Sequence, residues 1–462
     1  MRSSLILLVA AVSAGGPVSA QEVRVKVDSS AEILAIMFRV AGAPEYSMGR
    51  IQPYMRQVDS AFKPFADHPA IREIRRLRLA NGVSFDAVMS MAAHLTDPLT
   101  FTERAPFDDP GSTLDGRWKG ADSRVFLRLA RDFARDARVS DFLARQRPVY
   151  DSAAVRLQRM IDRRANMKWF SGFFGANAGG VFVASPLLAN AGGNFGPRFA
   201  DGGTFEMHAY LGIGTADSAG FPTIPDGLLS TIVHEFNHSF VNRVVETRSA
   251  ELRAPGERVY RTVAATMRSQ AYGSAQTMLN ESIVRASVIR YLLANEGQAA
   301  AERETRAQRA LGFMWMPQLV TLLGEYEADR ATYPSLEAFM PKVVEFYQAL
   351  GSRIDSETAA FEAARPAIVH ISIPDSAKDV DPSTTTITVR FDQPMGPGVS
   401  INRIDAEMPG VTSWAFDSTR TVLTLTVKLE PARTYGLRFT GNGFASATGF
   451  PLKERSVRFT TR

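Results

Sequence analysis

Apolar residues recur at three- and four-residue spacing in four stretches between Val27 and about Lys168: "SSAEILAIMFRVAG", "AIREIRRLRLAN", "SFDAVMSMAAHL" and "DSRVFLRLARDFARDARVSDFLARQ". That period predicts amphipathic helices. From Phe170 to Ile213 glycine-rich turns surround short apolar runs, which predicts two or three strands, "GVFVAS" and "TFEMHAYLGI" among them. The stretch "LLSTIVHEFNHSFVNRVVE", residues 228–246, returns to helical spacing. Leu229, Val233, Phe236, Phe240 and Val244 form its apolar stripe and Leu228 and Ile232 widen it, so most of this helix should be buried. Pro225-Asp226-Gly227 marks its start, with Asp226 as the capping acceptor.

Helical spacing continues through "AQTMLNESIVRASVIRYLLAN", "LGFMWMPQLVTLLGEYEADR" and "SLEAFMPKVVEFYQALGSRIDSETAAFEAA", and stops at Arg365-Pro366. Beyond it "TTITVRFDQPM", "TVLTLTVKL", "TYGLRFTG" and "SVRFTTR" alternate at every second position between turn residues, which predicts a separate β-sandwich over residues 366–462. The expected class is α+β: a mainly helical domain over residues 21–365, with a small β-sheet before the 228–246 helix, and a C-terminal sandwich.

A length of 462 residues supports two or more cores. Residues 1–20 combine Arg2, an apolar run from Leu5 to Val12 and a small-residue end at Val18, Ser19 and Ala20. They read as a secretory signal cut before Gln21, because the run is shorter than the ~20 residues a span requires. No later run is long enough, so no membrane span is expected after cleavage, and the location is secreted or periplasmic. The chain has no cysteine, which leaves histidine and carboxylate as its zinc-binding chemistry. The net charge of +5 is dispersed, and "RLQRMIDRRANMK" reads as a solvated helix face, so no nucleic-acid partner is expected.

His234 and His238 lie one helical turn apart, where both imidazoles can reach one metal ion, and Glu235 between them can take the proton of an attacking water. With only six histidines in the chain, a chance HExxH is improbable. The competing reading is a pair of core histidines satisfied by backbone or water, with Glu235 pairing nearby arginines. Val241 and Val244 stand where a metzincin has glycine, and no third histidine follows, so that branch is excluded.

A catalytic zinc needs a third protein ligand. Glu281, in "TMLNESIVRASVIRYLL", is a carboxylate on a mostly apolar segment 43 residues after His238. The order and spacing resemble a gluzincin, in which an Asn-Glu-bearing helix supplies the third ligand. The alternative for Glu281 is a helical ion pair with Arg285, and the two are compatible, since a guanidinium can orient a ligating carboxylate. Asn242, one turn beyond His238, is a second candidate for holding a ligand from behind; a solvent-facing or helix-terminal asparagine is the other reading. Tyr272 and His208 are candidate donors to the oxyanion that forms when water adds to a carbonyl, and each could instead be structural.

"NAGGVFVASPLLANAGGNFGPRF", "LLSTIVHEFNHSFVN" and "MLNESIVRA" together resemble a bacterial family of exported, zincin-like proteins known only as a domain of unknown function, over roughly residues 30–360. The residues after 366 resemble the bacterial Ig-like domain of S-layer and other exported proteins, whose framework is turns, a buried tryptophan and alternating strand positions. Such domains are spacers or binding modules that contact envelope or polymer. The first resemblance implies a gluzincin-like zinc metallopeptidase acting on a peptide or protein. "GTFEMH" does not match the Gly-x-Met-Glu-Asn strand of aminopeptidases, which favours an endopeptidase. The alternatives are a catalytically silent envelope protein and a zinc amidase acting on cell-wall material.

Overall fold

The computed structural model describes residues 23–118, 120–175, 180–201, 204–441 and 443–462. The signal-like leader over residues 1–20 lies outside them. Among the described residues no helix is long and apolar enough to cross a membrane. The chain divides into two compact units: the first runs to Gly172 and resumes up to Leu229, and the second takes Phe173–Gly175 and Ser230–Arg462. The division therefore falls within the stretch expected to be one domain, inside the first turn of the 228–246 helix, and the second unit holds helices as well as the sandwich.

In the first unit a short strand β1 (Val23–Val25) precedes helices α1 (Ser29–Val40), α2 (Gln52–Phe62), α3 (Pro69–Asn81), α4 (Asp86–Ala93), α5 (Gly120–Asp136), α6 (Val139–Arg164) and α7 (Lys168–Phe174), the last of which ends in the second unit. Strands β2 (Val181–Leu187), β3 (Asn194–Phe195), β4 (Arg198–Asp201) and β5 (Thr204–Gly212) follow. The sheet runs β1-β2-β5-β3, with β4 also paired to β5; β1, β2 and β5 are parallel and β3 and β4 antiparallel to β5. Periodicity missed β1, since three residues are too few to show a period.

Helix α1 is enclosed on every side from Ser30 to Phe38, and Ile33, Leu34, Ala35, Ile36, Met37 and Phe38 are all fully buried. A helix buried all round is central, and α1 packs among α2, α3 and α4. Asp28 caps it, its Oδ1 accepting from the N–H groups of Ser30 and Ala31. The stretch expected as one helix over residues 122–146 breaks into α5 and α6, because Arg138 sits at φ 52°, the left-handed region.

The second unit contains α8 (Leu228–Thr247), which starts just before its boundary, then α9 (Ser249–Ser269), α10 (Ala275–Asn295), α11 (Gln298–Ala310), α12 (Met316–Ala328) and α13 (Leu336–Ala364). Helix α10 occupies the position that α1 holds in the first unit: Met278, Leu279, Ile283, Val284 and Ile289 are buried, and α9, α11 and α12 surround it. On α8 the buried set is Leu228, Leu229, Ile232, Val233, Phe236, Val241 and Val245, whereas Phe240 and Val244 are only half-buried. The expected stripe therefore turns by one position after Phe236. Phe240 instead stacks on Phe174, with ring centroids 4.4 Å apart. Asp226 is exposed, with its carboxylate 3.6 Å from Arg164.

The sandwich has two four-stranded sheets. One orders Gly410–Phe416, Val422–Lys428, Thr386–Phe391 and Ile368–Ile371, and the other Ala377–Val380, Arg455–Thr461, Thr434–Phe439 and Ile401–Asn402. Ile387, Val389, Leu423, Leu425, Leu437 and Phe459 meet in its core, as strict alternation requires. The tryptophan expected to be buried is not: Trp414 lies on the edge strand Gly410–Phe416 and is 49% exposed.

Candidate metal centre

Two adjacent elements of the second unit bring the chemistry together. On α8, His234 and His238 share a face, with Nε2 atoms 3.1 Å apart and rings set edge to face. On α10, Glu281 approaches both: Oε2 is 3.6 Å from His234 Nε2 and Oε1 is 3.4 Å from His238 Nε2. The three offer ligand atoms within 4.8 Å of one another. The edges of a zinc tetrahedron with nitrogen and oxygen ligands are about 3.3 Å long, so this donor set fits a metal of that kind. Asn237, fully buried between the two histidines, ties α8 to α10 through a bond from Nδ2 to the Val284 carbonyl at 3.4 Å.

The surroundings fix the ligand atoms. Asn242 Oδ1 can only accept, so His238 Nδ1, 3.1 Å away, must donate its N–H there, which leaves the Nε2 lone pair facing Glu281. Burial lowers the His234 pKa to about 3, against the opposing pull of Glu281, so its imidazole is neutral at physiological pH. Burial also pushes the Glu281 carboxyl up, but the charged groups around it, with the Arg285 guanidinium in direct contact, outweigh it and hold the group below its ordinary value. Glu281 is thus a carboxylate in a buried place.

Arg285 supplies much of that stabilisation. Its Nε donates to Glu281 Oε2 at 3.1 Å, its Nη1 to Gln308 Oε1 at 2.6 Å and its Nη2 to the Tyr272 hydroxyl at 2.6 Å. Tyr272 thus reaches Glu281 through the guanidinium. The guanidinium also stands over Phe313, 5.0 Å from the ring centroid. Gln308 and Phe313 belong to this network and carry no signal in the sequence: each is an ordinary residue on a distant segment, brought in by packing alone.

Glu235 is 5% exposed, and burial together with the Glu281 charge pushes its carboxyl well above the ordinary range. His208, the other donor considered from sequence, belongs to the first unit. There its Nε2 is 3.0 Å from Glu206 Oε2 and its ring stacks on Tyr210. The residues brought together are therefore His234, His238, Glu281, Arg285, Tyr272 and Asn242.

No curated protein matches the chain. Among solved structures it is similar to the surface layer protein SbsC, domains 1-6, at 17% identity and a TM-score of 0.18, over 50% of this chain and 33% of that one. It is also similar to the S-layer protein rSbsC(31-844), at 13% identity and a TM-score of 0.17, over 50% and 33%. This chain thus spans about a third of those two chains. Residues 362–461 match the bacterial Ig-like domain. Residues 23–346, well over half of the chain, match the domain of unknown function DUF4932, and the chain belongs to that family.

Proposed function

We propose that the protein is a zinc-dependent hydrolase of the gluzincin kind, cleaving internal peptide bonds of a peptide or protein outside the cytoplasm. The observation that carries this reading is the convergence of His234, His238 and Glu281, with ligand atoms within 4.8 Å of one another, next in sequence to the buried Glu235. His234 and His238 would hold zinc through Nε2 and Glu281 through its carboxylate. Zinc bound there supplies Lewis acidity and a water acidified toward neutral pH. Glu235, its proton affinity raised by burial, takes a proton from the attacking water at its carboxylate and returns it to the leaving amine. Arg285 and Tyr272 keep Glu281 ionised and aimed, and Asn242 holds the His238 tautomer.

The leader-like first residues support export, and the Ig-like domain supports a contact with envelope or polymer. The test compares wild type with Glu235→Gln for zinc content by elemental analysis and for hydrolysis of casein and a peptide library. Both proteins are expected to hold one zinc, and the variant to lose at least ~10²-fold in rate, the usual size of a general-base contribution. Absence of zinc from both, or unchanged hydrolysis by the variant, defeats the reading.

A further inference from the structure

The first unit contains a pocket of about 640 Å³ that the proposed hydrolysis does not use. Its floor is one face of the parallel part of the sheet: Arg24 on β1 is paired with Val183 on β2, and Val183 with His208 on β5, so the three stand in a row. Glu206, two residues before His208, shares that face. Arg104 comes from the loop after α4. Its Nη1 donates to the Ala93 carbonyl at 3.0 Å and to Glu206 Oε2 at 2.7 Å, and its guanidinium carbon stands over Phe199, 3.7 Å from the centroid. Both of these bonds leave from Nη1, so the Nη2–Nε edge of a guanidinium already held in place is available to a ligand.

The charge balance decides what kind of ligand. Two carboxylates line the pocket, and both have partners inside the protein. Glu206 Oε2 accepts from Arg104 and His208, and these partners hold its carboxyl far below the ordinary range. Asp28 caps α1 through Oδ1 and accepts the Tyr210 hydroxyl through Oδ2 at 2.8 Å. The cations are less committed. Arg24, on the edge strand β1, and Lys26, just after it, are exposed and lie in no ion pair among the described residues. Leu95 and Val183 add apolar wall, and the volume falls in the ~300–1,000 Å³ range of small-molecule sites. A planar carboxylate matches the free edge of a fixed guanidinium in two parallel hydrogen bonds, with flanking charges adding to its hold.

We propose that this pocket binds a small organic carboxylate, its charged end on Arg104 with Arg24 and Lys26 beside it and its apolar body over Val183 and Leu95. The proposal does not depend on the metal centre or on hydrolysis.

The test is calorimetric titration of the full chain at low salt with hexanoate, hexylamine and inorganic phosphate. Wild type is compared with Arg24→Glu/Lys26→Glu and, should charge reversal disturb the fold, with Arg24→Gln/Lys26→Gln. Hexanoate is expected to bind saturably at one site and at least tenfold more weakly to either double variant, with melting temperatures unchanged and no binding of hexylamine. The proposal is overturned if hexanoate gives no saturable heat, if both variants bind it as wild type does, if hexylamine binds equally, or if phosphate binds in preference to hexanoate.

Discussion

Glu32, on the central helix of the first unit, is fully buried; burial raises its pKa to about 7, opposed by the Tyr54 hydroxyl at 2.6 Å and by the N–H groups of Leu188 and Ala189. An acid whose folded pKa exceeds its unfolded value binds more protons when folded, so its contribution is fully present below about pH 4.5 and is lost as pH rises through about 7. The shift corresponds to a loss on the order of 3 kcal/mol. Denaturant midpoints measured from pH 4 to 8 should therefore decline across that window in wild type and flatten in Glu32→Gln. Arg285 belongs to the same scale. Arg285→Met leaves the Glu281 carboxylate without its guanidinium, and a metal-binding titration should show affinity falling ~10–100-fold, the usual consequence of removing a ligand's supporting partner. Unchanged affinity would mean that His234 and His238 alone orient Glu281. These two residues differ in legibility: HExxH and Arg285 could be read from spacing, whereas nothing in "SSAEILAIMFRV" says that Glu32 faces the core, because a glutamate on a helix is ordinarily solvated.

Elements were legible where their period is long. Helices α8 and α13 and the alternating sandwich strands follow from the sequence, since burying one face imposes a period of 3.6 or 2. The three residues of β1 are too short for this, and the break between α5 and α6 at Arg138 depends on a backbone conformation that arginine seldom signals. The buried tryptophan that the Ig-like resemblance implies is not met by Trp414, which stands on an edge strand exposed on both of its faces. Close helix crossings are likewise invisible to periodicity. In α13, a Cβ added at Gly351 would already be in contact with the Pro255 backbone of α9, at 3.4 Å, which leaves no room for a larger side chain. Gly351→Leu should destabilise by ~1–3 kcal/mol in urea unfolding, because backbone yields less readily than a side-chain tip.

Within the second unit the sandwich is joined to the helices by more than the chain. Arg365 donates to the Pro451 and Leu452 carbonyls, Phe361 packs on Phe450 at 5.6 Å, and Arg309 stands over Phe450 at 4.1 Å. Calorimetry of Arg365→Ala/Phe450→Ala should resolve the melting of this unit into two transitions, where wild type gives a single one; one transition in both would mean that these contacts do not couple the parts. The sequence by itself determined the helical and strand periods, the change of texture at Pro366 and the pairing of His234 with His238, because each is a relation between residues close along the chain. Only the tertiary structure decided that Glu281 faces those histidines, that Gln308 and Phe313 close around Arg285, and that Arg24, Val183 and His208 stand in one row of a sheet. These are relations across long stretches of chain, set by which apolar faces pack together, and local spacing carries no record of them.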